Sequence, residues 1–240
     1  MQFTHSFADD LKAIDWFSRQ PFALVRFADG ERSILERREI PTADGWRLPS
    51  ESFRLALQAA LTYPDGMGQT GCYHVGISCP CCDAEAHRWY LDKFAPKEHS
   101  RLTFSNLFAN ANWEGFLERC RKSPPRSVGW VGPYPVDALP KFLYPVAWVP
   151  RNLVNEPRWS DKVNRIVDKM LHEAAHGPIL VSAGPAAKII VHRFWEQFQY
   201  DCDRPCVIDI GSALDPYIHG APRRGYQTQK PEERKVCVWS

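Results

Sequence analysis

Short apolar runs alternate with amphipathic helical segments along nearly the whole chain, and this alternation most restricts what the chain can fold into. The apolar runs are "FALVRF", "CYHVGI", "RLTFSN", "SVGWVG", "PVAWV", "PILVSAG" and "CVIDIG". Each has the length of a strand, and the most apolar of them suit strands buried on both faces. Between them lie helical stripes. Phe7, Leu11, Ile14 and Phe17 share one face of "SFADDLKAIDWFSRQ", with Ser6 placed as N-cap and Pro21 beyond the end. A second helix is expected from about Gly30 to Arg38, and a third after Ser50, with Phe53, Leu57 and Leu61 on one face. "DAEAHRWYLDKF", "NWEGFLERCRK", the stretch after Ser160 and "PAAKIIVHRFWEQF" complete the set. Regular β and α alternation predicts an α/β fold, a mostly parallel sheet with helices on both faces. A chain of 240 residues can build this as one domain over 1–240.

Other stretches are less regular. A short helical piece is expected between "SVGWVG" and "PVAWV", and "PRNLVNEPRW" reads as a candidate lid or binding loop. Trp130, Tyr134, Trp148 and Trp159 flank it and could stack on a sugar or base, although core packing accounts for most aromatic residues. Residues 221–240 form a tail of mixed charge that ends in "VCVW", which could pair as an edge strand or lie over the body.

Composition excludes some classes and leaves others open. The formal net charge is +2, so no global basic field announces nucleic acid as a partner. The N-terminus has neither the basic nor the apolar region of a signal peptide, and no apolar run reaches the roughly 18 residues of a membrane helix. A cytosolic (cytoplasmic) chain is expected, with its eight cysteines mostly reduced.

In an open parallel sheet, ligands collect beyond the carboxyl ends of the strands. Three of those ends carry unusual residues. After "FALVRF" come Asp29, Gly30 and Glu31. Two carboxylates flanking a glycine suit a hard divalent cation, but Asp29 is equally a good N-cap and Glu31 a favourable first-turn acid. After "ILVSA" come Gly184 and Pro185, then a small-residue helix start with Lys188, which suits an anion or tight packing on the sheet. After "VIDI" come Gly211, Ser212 and Asp215, with Asp209 inside the run. A carboxylate there could hold a ribose, bind a metal through water, or act as a general base. The same segment faintly resembles the nucleotide motif of Rossmann methyltransferases, but residue 213 is Ala and too little chain follows it.

Two other clusters call for weighing. "GISCPCCDAEAH" holds Cys79 and Cys82 as CxxC around Cys81, with Cys72, His74 and His87 nearby. A structural zinc site drawing on Cys72, Cys79 and Cys82 is conceivable, yet no second CxxC stands at finger spacing, and plain thiols are the simpler expectation. "HEAAH", from His172 to His176, satisfies the zincin pattern formally but sits at a helix C-terminus, where the dipole favours histidine.

Together, "VRFADGE", "VGI" before a proline-containing loop, "ILVSAGPAAKII" and "VIDIGSALD" resemble, in this order, the GT-D fold glycosyltransferases. That bacterial group, formerly a domain of unknown function, uses nucleotide-sugar donors. The resemblance spans most of the chain, thinly between residues 80 and 125. It implies a single Rossmann-like domain and a metal-dependent transfer of sugar from a nucleotide-diphosphate donor, a UDP-sugar favoured, to a hydroxyl acceptor. That acceptor would be a glycan, a glycoprotein or a modified nucleic-acid base. It further implies Mn²⁺ or Mg²⁺ at Asp29 and Glu31. Arg26, Gly184, Pro185, Lys188, Gly211 and Ser212 would then serve the donor, and Asp215, or failing that Asp209, would be the catalytic carboxylate. Ser212 and the "CPCC" stretch depart from the family pattern, and the basic residues Arg223, Arg224, Lys230, Arg234 and Lys235 raise the nucleic-acid acceptor as a case to test. The competing classes are a metal-dependent nucleotide or phosphoester hydrolase and a non-catalytic nucleotide-binding module.

Overall fold

The structure, a computed structural model, describes residues 3–17, 21–40, 47–63, 72–133, 139–173, 177–197, 205–222 and 224–239. The seven apolar runs become seven strands: β1 (Phe22–Arg26), β2 (Cys72–Ile77), β3 (Leu102–Phe104), β4 (Val128–Gly132), β5 (Leu143–Trp148), β6 (Ile179–Val181) and β7 (Val207–Asp209). They form one sheet in the order β3-β2-β1-β7-β6-β4-β5. All neighbouring pairs are parallel. Around it lie α1 (Phe7–Ala13), α2 (Asp29–Leu35), α3 (Glu51–Thr62), α4 (Pro80–Leu91), α5 (Trp113–Lys122), α6 (Trp159–Glu173), α7 (Pro185–Gln197) and α8 (Asp215–His219).

The pleat sorts side chains to two cores. Ala23 and Val25 join Tyr73, Val75, Ile179 and Val181 on the face covered by α3, α6 and α7. Phe22 and Leu24 join Trp130, Leu180 and Ile208 on the opposite face, with α1 and α5. Alternation within each run therefore reflects two buried faces rather than one wet and one dry. Helix α7 is buried along most of its length, packing on β1 and β7 with α3 and α6 beside it.

Strand order sets the site. The chain steps outward from β1 to β2 to β3, returns on the far side as β4 and β5, and then inserts β6 and β7 between β4 and β1. The direction of winding thus changes between β1 and β7, and a crevice at their carboxyl ends is the usual outcome.

Several local expectations shift. Helix α1 stops at Ala13, because Ile14 is extended (φ −73°, ψ 105°). Helix α2 starts at Asp29 rather than Gly30 and ends at Leu35. The Ser50 cap holds, accepting from the Phe53 amide at 3.3 Å. The candidate lid contains a 3-10 turn, Leu153–Asn155, whose Leu153 and Val154 are buried. Trp130 and Trp159 are core residues, whereas Trp148, at the end of the edge strand β5, is 61% exposed. The carboxyl-terminal tail lies over the body rather than pairing as a strand. Tyr134 and the helical piece expected around it, Arg223 and His176 lie outside the described residues. Among the described residues no helix is long and apolar enough to cross a membrane.

Candidate active site at the carboxyl ends of β1, β6 and β7

The three strand ends meet, and a buried ion cluster closes the floor between them. Lys188, on the second turn of α7, places Nζ 2.8 Å from Glu31 Oε1 and 3.0 Å from Asp209 Oδ2. It also donates to the Gly184 carbonyl at 3.2 Å. Lys188 is 4% exposed, Glu31 6% and Asp209 0%. Burial by itself drives a lysine towards neutrality, but the carboxylates of Asp209 and Glu31 outweigh it and raise the Lys188 pKa above its ordinary value.

The remaining valences of the cluster are also filled. Glu31 Oε2 accepts the Ala28 amide at 3.0 Å. Asp209 Oδ1 accepts the Gly211 amide at 3.0 Å, and its Oδ2 accepts the Arg26 amide at 3.3 Å. Neither carboxylate is left unpaired in a low-dielectric setting, which is the condition for burying such groups at all.

These contacts bear on three expectations. The N-cap of α2 is Ala28, with Asp29 at the first helical position, so Glu31 and not Asp29 performs the helix-start role. Lys188 faces two carboxylates, so its charge is matched inside the protein. Asp209 is closed from solvent and paired with Lys188. Asp29, by contrast, is exposed.

Arg26 lies on the other side of the sheet from Lys188, because it follows Phe22 and Leu24 in the pleat. Its Nη1 donates to the Ser105 carbonyl at 2.7 Å, and its guanidinium sits 5.4 Å from the Phe108 ring. Its Nε is buried and makes no hydrogen bond. Nη2 lies against Gly211, so close that a Cβ there would come within 2.1 Å of it. Gly211 has φ +53° and Gly184 φ +55°, left-handed turns that end β7 and β6 and favour glycine. Pro185 then occupies the first position of α7, as its lack of an amide allows.

The remaining lip is built by α8 and the tail. Asp215 opens α8 and is 7% exposed, with its amide donating to the Ser212 carbonyl at 3.1 Å. Ser212 accepts from Arg224 Nε at 3.2 Å, and its carbonyl from Gln227 at 3.0 Å. Tyr226 lies in the same place, its hydroxyl accepting from Gln227 at 3.3 Å. Burial raises its pKa. The sequence carried no sign of Tyr226, nor of Tyr90, whose hydroxyl donates to the Ala28 carbonyl at 2.6 Å and steadies the start of α2. Burial pushes Tyr90 well above the usual phenol range.

The other motifs are placed elsewhere. Of the basic tail residues, Arg224 and Lys230 are exposed, but Arg234 is buried, pairing with Glu114 at 2.9 Å and lying 4.8 Å from the Trp113 ring. Lys235 donates to the Cys81 carbonyl. Among the described residues the tail is therefore no continuous basic stripe. Cys72 opens β2 while Cys79 follows its other end, so the length of the strand lies between the two backbone positions.

No protein-family model matches the chain. No curated protein matches it. Solved structures do. One, described as showing that "the highly conserved domain of unknown function 1792 has a distinct glycosyltransferase fold", aligns with a TM-score of 0.53 at 17% identity, over 87% of this chain and 78% of its own. Another, "a new glycosyltransferase" with the same domain from Streptococcus sanguinis, aligns with a TM-score of 0.56 at 14% identity, over 91% of this chain and 85% of its own. The chain has the fold of these structures, the one expected from its sequence.

Proposed function

We propose that this protein is a glycosyltransferase that moves a sugar from a nucleoside-diphosphate donor, a UDP-sugar favoured, to a hydroxyl acceptor. The observation that supports this reading is the ion cluster at the switch in strand order, where Glu31, Lys188 and Asp209 tie together the segments that follow β1, β6 and β7. Lys188 also holds the Gly184 carbonyl, Arg26 lies against Gly211, and Asp29, two residues before Glu31, is exposed. Gly211 lets Arg26 lie against the backbone after β7, and the start of α7 at Pro185 would add a favourable dipole for a diphosphate. Arg26, half-buried and with an unused buried Nε, is the cation placed to meet a phosphate.

A divalent cation fits the residues in a particular way. Mn²⁺ or Mg²⁺ takes one or two protein carboxylates and fills the rest of its shell with phosphate and water. Asp29, exposed, suits the first ligand, and Glu31 would contribute only by sharing its carboxylate with Lys188. When bound, such an ion would neutralise charge on the leaving diphosphate. In the transfer itself the acceptor oxygen bonds to the anomeric carbon as the bond to the diphosphate breaks, and a base takes the hydroxyl proton. Asp215 is the carboxylate assigned to that proton, since Asp209 is sealed. Ser212 and Gly211 would border the donor. Lys188 acts through Glu31 and Asp209 and is a positioning residue.

The test is a thermal-shift screen of UDP-sugars and other nucleotide sugars, with and without Mn²⁺, on wild type and Asp29→Ala. Metal-dependent stabilisation, lost in the variant, is expected. Identical curves for the two proteins would sink the role of Asp29, and donor hydrolysis that no glycan, glycoprotein or nucleic-acid acceptor redirects would move the reading to a hydrolase.

A further inference from the structure

Four thiols gather where the start of α4 meets the C-terminal segment. The Sγ atoms of Cys79, Cys81, Cys82 and Cys237 all lie within 4.8 Å of one another. We propose that these four cysteines form a structural zinc site that clamps the C-terminal segment to the turn before α4. This inference is independent of the proposed transfer reaction.

The spacing fits the ion. A tetrahedral site with Zn–S bonds of about 2.3 Å sets sulfurs about 3.8 Å apart. Cys79 and Cys81 are 3.2 Å apart, and Cys82 and Cys237 are 3.9 Å apart. All four are free thiols. A set of four sulfurs without other ligand types selects zinc or iron among common metals, and a redox-inert closed site is the zinc pattern.

The local backbone is shaped to converge the thiols. In a continuous helix, the successive residues Cys81 and Cys82 would point about 100° apart. Here the chain departs from the helix at Asp83 (φ −155°, ψ 92°), leaving Pro80 to Cys82 as a separate turn. The amides of Cys82 and Asp83 both donate to the Cys79 carbonyl at 3.0 Å and close that turn. Asp83 then caps the remainder of α4 by accepting the Ala86 amide at 2.9 Å.

The surroundings supply the donors that a cluster of thiolates needs. The Val238 amide points to Cys81 Sγ at 3.4 Å, Asn110 Nδ2 to Cys237 Sγ at 3.3 Å, and Asn106 Nδ2 to Cys82 Sγ at 3.5 Å. Lys235 adds a positive charge at the Cys81 carbonyl. Four thiolates and Zn²⁺ carry a net charge of −2, which these N–H groups and this lysine offset. Cys79 and Cys237 are buried while Cys82 is exposed, giving an ion a way in.

The clamp has a structural consequence. Two residues beyond Cys237, Trp239 stacks on His5 with centroids 4.1 Å apart and meets Phe104 edge-on at 5.2 Å. Asn106 follows Ser105, whose carbonyl holds Arg26. Fixing the cluster therefore also fixes the loop on which Arg26 rests.

Elemental analysis of the full chain, purified under reductant and without chelator, should find about one zinc per chain. Cobalt added to the reduced, zinc-stripped chain should give the intense visible bands of a tetrahedral cobalt thiolate. Cys82→Ser and Cys237→Ser should lower zinc content on the order of tenfold or more, while Cys120→Ser, Cys206→Ser and Asp29→Ala retain it. Should either ligand variant fail to fold, the wild-type zinc content and cobalt spectrum decide. The proposal is overturned by wild-type protein that holds neither zinc nor the cobalt spectrum, by iron in place of zinc, or by disulfides within the cluster that persist under reductant.

Discussion

Two polar clusters lie at the carboxyl side of this sheet, and they are completed in different ways. At the centre, Lys188 brings one positive charge to two carboxylates, and backbone amides fill the remaining valences. Towards the β2–β3 side, Cys79, Cys81, Cys82 and Cys237 bring four ligands of one kind to a single point. The first cluster has its charges matched from within, and the proposed function therefore assigns the donor and metal roles to Asp29 and Arg26 at its rim. The second is a ligand set, and its completion lies in the ion it is shaped to take.

The difference can be broken most sharply at Lys188. Lys188→Met leaves Glu31 and Asp209 buried without their cation, and the expected loss is about 3–5 kcal/mol of stability, read as a lowered denaturant midpoint. Unchanged stability with weakened nucleotide binding would instead make Lys188 a phosphate ligand and the central cluster no scaffold.

Acid should act on the fold through two buried histidines, His74 on β2 and His192 on α7. Burial lowers the pKa of His74 to about 3 and that of His192 to about 4. Both are neutral in the native state, whereas the unfolded chain binds protons near the ordinary value of about 6.5. Their contribution is therefore fully present above pH ~6.5 and is lost as pH falls towards the folded-state values, at up to about 1.4 kcal/mol per pH unit for each. Urea midpoints measured from pH 7 to 5 should fall, and the fall should lessen in His192→Gln. Midpoints independent of pH would show that neither histidine is held neutral.

Gly211→Ala probes where floor and rim touch. With φ +53° and a Cβ directed at Arg26 Nη2, the substitution should cost about 1–3 kcal/mol and push the guanidinium aside. Melting temperature and nucleotide affinity should fall together; a loss of stability alone would detach Arg26 from the donor.

The smallest stability effect is expected at Asp29. Exposed and outside the ion cluster, Asp29→Ala should stay within about 0.5 kcal/mol of wild type while losing metal-dependent donor binding. A large stability loss there would show that the rim belongs to the scaffold.

Much of the architecture was legible because it is local. Period-two and period-3.6 patterns are written in neighbouring residues, so the strands, the Ser50 cap and Pro185 at the head of α7 could be read directly. The carboxyl-end positions also followed, since each is the residue after an apolar run. What could not be read was which of those residues face each other. Glu31 and Asp29 are two residues apart in the first turn of α2, yet Glu31 is buried against Lys188 while Asp29 is exposed. Likewise "CPCC" offered Cys72 as a nearer partner in sequence than Cys237, but a strand separates Cys72 from Cys79 while the tail folds back. Trp130 and Trp159 looked available for stacking until both were found in the core.

The sequence by itself determined the element types, the parallel α/β class and the residues standing at the strand ends, because these depend on side-chain periodicity and on the backbone freedom of glycine and proline. Tertiary structure alone decided the strand order, the pairing of Lys188 with Glu31 and Asp209, and the joining of Cys237 to Cys79, Cys81 and Cys82. Those depend on inserting β6 and β7 between β1 and β4 and on laying the tail across α4. Contacts between distant segments are fixed by burying both faces of the sheet together, and no single segment encodes that condition.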